Sequence, residues 1–284
     1  MFSAIGKVIK WIGQHFLGML FLLIAFVVLM PSSTKDLKPA NLQEIQLAGP
    51  IMNADAILKE IEDVQKDPKI KGVLLNINSP GGSVPPSIEI AYAIKALKEH
   101  KPVVAYASGI MASGSYYASI YANTIIANPG SIVGSIGVIM ESANIEKLMD
   151  TIGVETQIVK QGTYKEAGTP TREWTPEERA ELERLTRDTY ELFIHDVATA
   201  RGLDIHDSKA YADAHIFSAK RAKDAGLIDY VGVKSQAKAE VEKLAKVTDP
   251  RWKEKDKLES FMEQFSAKGM IQLQNYFSGL KASF

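Results

Sequence analysis

The chain reads as an α/β protein, and three observations predict it. Short β-branched segments such as KGVLLNINS at 71–79 and PVVAYAS at 102–108 alternate with segments of helical period. Glycine-rich turns stand where these segments end, as in PGGS after Asn78 and Ser79. Of 284 residues, 46% are apolar and 24% charged, enough for one large core that needs neither disulfides nor a structural metal.

The elements follow in order. Lys7 and Lys10 precede FLGMLFLLIAFVVLM at 16–30, a run without a charge. Extended back through Ile12 and Trp11 it reaches about 20 residues, enough to cross an apolar layer of ~30 Å. The favoured reading is a retained transmembrane anchor with the amino terminus in the cytoplasm and the body on the extracytoplasmic side of the inner membrane. A cleaved signal peptide and a buried helix compete, although no clear A-x-A site precedes Pro31. PSSTKDLKPAN at 31–41 reads as a tether, and the body begins near Leu42.

IQLAGPI at 45–51 is a strand and turn. Ala54, Ile57, Leu58, Ile61 and Val64 then line one helix face, with Asn53 as candidate cap and Pro68 as the far boundary. After the strand at 71–79, IEIAYAIKALKE at 88–99 is helical; after the strand at 102–108, GIMASGSYYASIYA opens a helix with small residues. TIIANPGSIVGSIGVIM at 124–140 gives a strand and glycine turns, and NIEKLMDTIG at 144–153 a helix capped by Asn144. A long helix begins with Pro176 after Thr175 and closes at Gly202, its apolar side carrying Leu182, Leu185, Leu192, Phe193 and Val197. Shorter units and a helix in SQAKAEVEKLAKV complete the body. The resulting division is 1–30 anchor, 31–41 tether, 42–249 catalytic domain and 250–284 an amphipathic tail with Trp252, Phe261 and Phe277. That tail packs on the protein or a neighbour, touches a membrane surface, or is flexible.

Composition also excludes. Lys and Arg number 33 against 34 Asp and Glu, with no basic run, which argues against nucleic acid. There is no cysteine, so thiol catalysis, iron–sulfur clusters and cysteine zinc sites are out. The five histidines are dispersed without H-E-x-x-H spacing, and no metal or other cofactor is implied.

Four phrases carry the chemistry: NSPGGSV at 78–84, SGIMASGSYY at 108–117, GSIGV at 134–138 and KQGTYKEAG at 160–168. Ser113, between Ala112 and Gly114 after a strand, is a candidate nucleophile at a helix amino terminus; the bland alternative is a capping serine. Gly81 and Gly82 allow a close backbone approach, which makes the Gly82 amide a candidate oxyanion donor, unless the pair serves only a turn.

These phrases, in this order and with FSAKRAKDAGLIDYVG at 217–232, resemble signal peptide peptidases of the SppA type. The resemblance implies a Clp/crotonase-like repeated β-β-α superhelix, with an N-terminal transmembrane helix and a helical C-terminal region. It implies a membrane-anchored serine endopeptidase with a Ser–Lys dyad: Ser113 attacks, Lys165 is the general base, Ser135 orients the lysine, and Gly114 joins Gly82 in the oxyanion hole. On residue type alone Lys160 rivals Lys165, and Ser135 is an ordinary turn serine. A free lysine of pKa near 10.4 is neutral in about one molecule in 2,500 at pH 7, a cost of about 4.6 kcal/mol that the site must offset. The implied partners are cleaved signal peptides and hydrophobic peptides, the inner membrane, and further copies in a homo-oligomer, an octamer by family precedent, with the dyad formed within one subunit or between two. A crotonase-like acyl-CoA or thioester enzyme and a non-enzymatic membrane scaffold are the competing functions.

Overall fold

The computed structural model describes residues 11, 13–22 and 38–254. The chain divides into two compact units, Met1–Pro39 and Ala40–Phe284. In the first, helix α1 is described over 13–22 and is exposed along its length. Among the described residues no helix is long and apolar enough to cross a membrane. The expected transmembrane anchor is corrected accordingly, together with the inner-membrane partnership and extracytoplasmic placement that rested on it; residues 23–30 of that run lie outside the described residues.

In the second unit a seven-stranded sheet has the order β1-β2-β3-β4-β7, formed by Leu42–Ala48, Gly72–Ser79, Val103–Ala112, Thr124–Ala127 and Tyr230–Val231, all parallel. The far end of β3 turns away from β4 to pair with β5 (Ile132–Gly134), which pairs antiparallel with β6 (Ile216–Ser218). Helices α2 (Asp55–Lys66), α3 (Val84–Lys98) and α4 (Gly114–Ser119) connect successive strands. From β1 to β4 one named strand alternates with one helix, while the ends of β2 and β3 shift register to pair Ser79 with Met111 and β3 then pairs with β5, a second row of short pairings beside the first. Ile51, where a second strand would begin, makes only a single bridge to Gly82, and Pro50 beside it has no N–H to extend a ladder.

Both sheet faces are covered, which is why the strands read as nearly unbroken apolar runs. Val73, Leu75 and Ile77 of β2 face the main core with Ile61, Ile90, Ile94 and Leu97 of α2 and α3. Leu74 faces the other way and packs with Leu42, Val104, Ile126 and Val241, the last from α9 (Lys234–Leu244). Asn76 shares that face and donates to Glu44 and Gln46 at 2.8 and 3.0 Å.

Local signals explain several boundaries. The long helix α6, Pro176–Arg201, starts with a capping box in which Thr175 and Glu178 exchange hydrogen bonds, and ends at Gly202 with φ 65°. Its Phe193, Ile194 and Val197 enter the main core. Helix α5 (Glu146–Ile152) buries nothing; Ile145, not the expected Asn144, holds its cap position without a side-chain bond, and Asn144 Oδ1 one residue earlier accepts from the Glu146 N–H at 2.9 Å. Asn53 does not cap α2; Ala54 stands there and supplies no side-chain bond. After the last described helix, Trp252 packs beside β1; the tail beyond Glu254 lies outside the described residues.

Candidate active site

The end of β3 and the start of α4 meet at Ser113, whose backbone has φ 54° and ψ −127°. A non-glycine residue in that region is strained and persists only where its surroundings hold it. Here the Ser113 N–H donates to the Gly134 carbonyl at 2.8 Å, and Ser115 staples the neighbourhood. The Ser115 hydroxyl donates to the Ser79 carbonyl at 2.6 Å and accepts from the Ala112 N–H at 2.9 Å, joining the ends of β2 and β3. The Ser113 side chain makes no capping bond to α4, so its hydroxyl is not consumed as a helix cap.

The Gly81–Gly82 turn lies directly against this corner. Gly81 has φ 91°, and a Cβ there would stand 2.6 Å from the Gly114 nitrogen and 2.8 Å from the Ala112 oxygen. A Cβ on Gly82 would collide with the Ile51 carbonyl oxygen, and one on Gly114 with the Ser87 hydroxyl. Among the described residues neither the Gly82 nor the Gly114 N–H donates to any group. Two unspent amides thus flank one free hydroxyl, the arrangement that binds a developing oxyanion.

Ser135 follows Gly134 at the end of β5, with φ 52° and its N–H donating to the His215 carbonyl at 2.7 Å. Ser113, Gly82 and Ser135 line one cleft of about 700 Å³. Lys165 is exposed on a turn and does not line that cleft. The structure therefore brings four of the five expected residues together and leaves the lysine elsewhere. The rival Lys160 is ion-paired with Glu166.

Sequence reasoning missed the wall that α6 contributes. Glu183, Arg187 and Tyr190 line the cleft opposite Ser113. A side pocket of about 20 Å³ opens beside Ser113, bounded by Val84, Val138, Thr189, Tyr117 and Phe193. Its floor is a stacked pair, Tyr117 on Phe193, with ring centroids 4.5 Å apart. The Tyr117 hydroxyl donates to the buried Asp196 carboxylate at 2.5 Å, and burial followed by that carboxylate pushes the phenol pKa up. The available signal was Phe193, which the sequence places on the apolar side of α6 four residues after Thr189. His195 approaches Asp196 at 3.4 Å but lines neither the cleft nor the pocket. Among the described residues no group of three or more His, Asp or Glu could hold a metal ion.

A family description, Peptidase family S49, matches residues 95–248, more than half of the chain, and a Clp protease description matches residues 39–127. The chain belongs to peptidase family S49. The description it matches is that of a peptidase. A protein of Methanocaldococcus jannaschii, provisionally named a protease, is 42% identical over 67% of this chain and 61% of its own length. One of Synechocystis, named likewise, is 37% identical over 77% of this chain and 79% of its own. The chloroplast serine protease SPPA of Arabidopsis thaliana is 34% identical over 66% of this chain but only 28% of its own. Among solved structures, a mutant of the 1510-N membrane-bound stomatin-specific protease aligns with a TM-score of 0.50 at 15% identity, over 72% of this chain and 86% of that one, a likeness of fold. Family membership removes the acyl-CoA and scaffold readings. The expected membrane-anchored enzyme is corrected to the S49 serine peptidase itself, since no spanning helix is present among the described residues.

Proposed function

We propose that this S49 peptidase cleaves extended peptides with Ser113 as nucleophile and Lys165 of a second copy as general base. The observation that carries the reading is the uncapped Ser113 hydroxyl beside the unspent Gly82 and Gly114 amides, in a cleft that its own Lys165 does not line. The neutral Lys165 amine takes the Ser113 proton as Oγ attacks the peptide carbonyl carbon, and the two amides receive the charge that develops on the carbonyl oxygen. The same ammonium protonates the departing amine, leaving an ester on Ser113. Water, deprotonated by the lysine, then releases the acid. Ser135, on the cleft wall, accepts from the amine and aims its lone pair.

Substrate binding follows from the cleft walls. Gly137, Val138 and Ile139 line it outside any helix or strand, and their amides donate to no group among the described residues, so an added peptide strand has partners. The 20 Å³ pocket has room for about one water or methyl group, which selects glycine, alanine or serine on the acyl side of the cleaved bond.

The test uses two inactive variants. Ser113→Ala and Lys165→Ala each lose about 10³-fold or more in kcat. Mixed one to one and reassembled, they regain about a quarter of the sites, because half the nucleophile donors and half the base donors are intact at each contact. Mixed assemblies that form and stay inactive would defeat the two-copy dyad. Unimpaired Lys165→Ala would defeat Lys165 as base.

A further inference from the structure

Lys165 stands outside every helix and strand, in a turn bracketed by Gly162 with φ 98° and Gly168 with φ 91°. Its N–H reaches the Gly162 carbonyl at 3.3 Å, a weak local bond. A general base needs placement to a fraction of an ångström, and neither sheet nor helix supplies it here. The restraint comes from the next residue. Glu166 is ion-paired with Lys160 and receives Arg172 Nη2 at 3.3 Å. Arg172 is itself held by two bonds of 2.8 Å, one to each oxygen of Glu178, whose side chain is 2% exposed. The same Glu178 accepts from the Thr175 N–H at 3.0 Å in the capping box that starts α6. A second strut runs beside it, from the Trp174 indole N–H to the Thr169 carbonyl at 2.8 Å.

We infer that Arg172 and Glu166 are positioning residues for Lys165, fixing its turn to the amino terminus of α6. The inference rests on Lys165 as the general base. Two cations and two carboxylates balance in the cluster, and the bidentate Arg172–Glu178 fork sets orientation as well as distance. Helix α6 is anchored in the core through Phe193 and Val197, so the path runs from core to helix start, to Glu178, to Arg172, to Glu166, to the base. The same helix walls the cleft of its own Ser113 through Tyr190, so one rigid rod sets both what a subunit receives and what it presents.

The experiment measures kcat, KM and the pH dependence of kcat/KM on a peptide substrate for Arg172→Gln, Arg172→Lys and Glu166→Gln, with Lys165→Ala as reference. Glu166→Gln leaves the Arg172–Glu178 fork and the helix cap in place, so it reports positioning even if Arg172→Gln fails to fold. The expected result is a kcat loss of about 10- to 100-fold in Glu166→Gln, with KM within about 2-fold. The acid limb of kcat/KM moves upward as the loosened amine returns to water. Labelling of Ser113 by a fluorophosphonate slows in parallel, and Arg172→Lys, which keeps the charge without the fork, falls between wild type and Arg172→Gln. Wild-type kcat and an unmoved pH profile in Glu166→Gln, beside an inactive Lys165→Ala, would overturn the positioning role and spare the dyad. An active Lys165→Ala would overturn both.

Discussion

At Ser113 the backbone strain and the catalytic geometry have one origin. The residue leaves β3, turns through a left-handed conformation and enters α4, which exposes its hydroxyl beside the Gly114 amide. Gly81 is the piece that lets the second amide approach. Gly81→Ala is expected to lower kcat by about 100-fold or more, as loss of one oxyanion donor does. The added methyl would meet backbone atoms at 2.6 and 2.8 Å, and neither can move without shifting the corner. Steady-state kinetics beside a thermal melt check it; a folded Gly81→Ala with wild-type kcat would show that the amide does not contribute. The meeting of the glycines with Ser113 was legible because both stand in short contiguous phrases at the ends of strands. Ser115, Asp196 and Tyr117 were not, because each acts on a partner distant in the chain: Ser115 on Ser79, and Tyr117 on Asp196. Lys165 was preferred to Lys160 by resemblance, and in the structure Lys160 is ion-paired with Glu166.

Helix α6 shows how one element serves several ends. Its amino terminus holds Glu178, whose carboxyl is pulled from 4.5 to about 2 by Arg172 first and then by the Thr175 N–H. A carboxyl depressed in the folded state adds stability above its unfolded pKa and loses it as pH falls toward the folded one. The melting temperature is therefore expected to drop between about pH 4.5 and pH 2, and Glu178→Gln should flatten that part of the curve while lowering stability near neutrality. An unchanged acid profile in the variant would remove Glu178 as its source. On the proposed function, the middle of the same helix sets side-chain selection through Thr189 and Phe193. Peptides with leucine in place of alanine on the acyl side should show kcat/KM lower by about 10-fold or more, and Phe193→Ala should narrow the ratio by removing half of the pocket floor. Equal rates for the two peptides in the wild type would contradict the methyl-sized pocket. The existence and ends of α6 were plain in the sequence through Thr175, Pro176 and Gly202. Its cleft-facing residues were hidden, because Thr189 and Phe193 follow the same period whether they meet a core or a cavity. Helix α3 starts at Val84, earlier than its apolar spacing suggested, since Pro85 and Pro86 fit the first turn. Strands β5, β6 and β7 run three, three and two residues, too short to show any periodicity.

For the whole molecule, alternation of strand and helix was enough to read the α/β class, because parallel strands need helical crossovers between them. The anchor came from hydropathy, and among the described residues no helix is long and apolar enough to cross a membrane. The splitting of β3 between β4 and β5 was invisible in composition. It decides the site, since the departing half of β3 carries Ser113 to the Gly134–Ser135 turn. At the opposite margin, the Asn41 and Leu42 amides donate to the Arg251 carbonyl, and Lys253 returns a bond to Leu42. Trp252 between them lies in the smaller apolar cluster with its indole on Glu242 at 2.9 Å. This stitch seals the start of the outermost strand with the protein's own late residues, and so denies strangers a template on which to stack there.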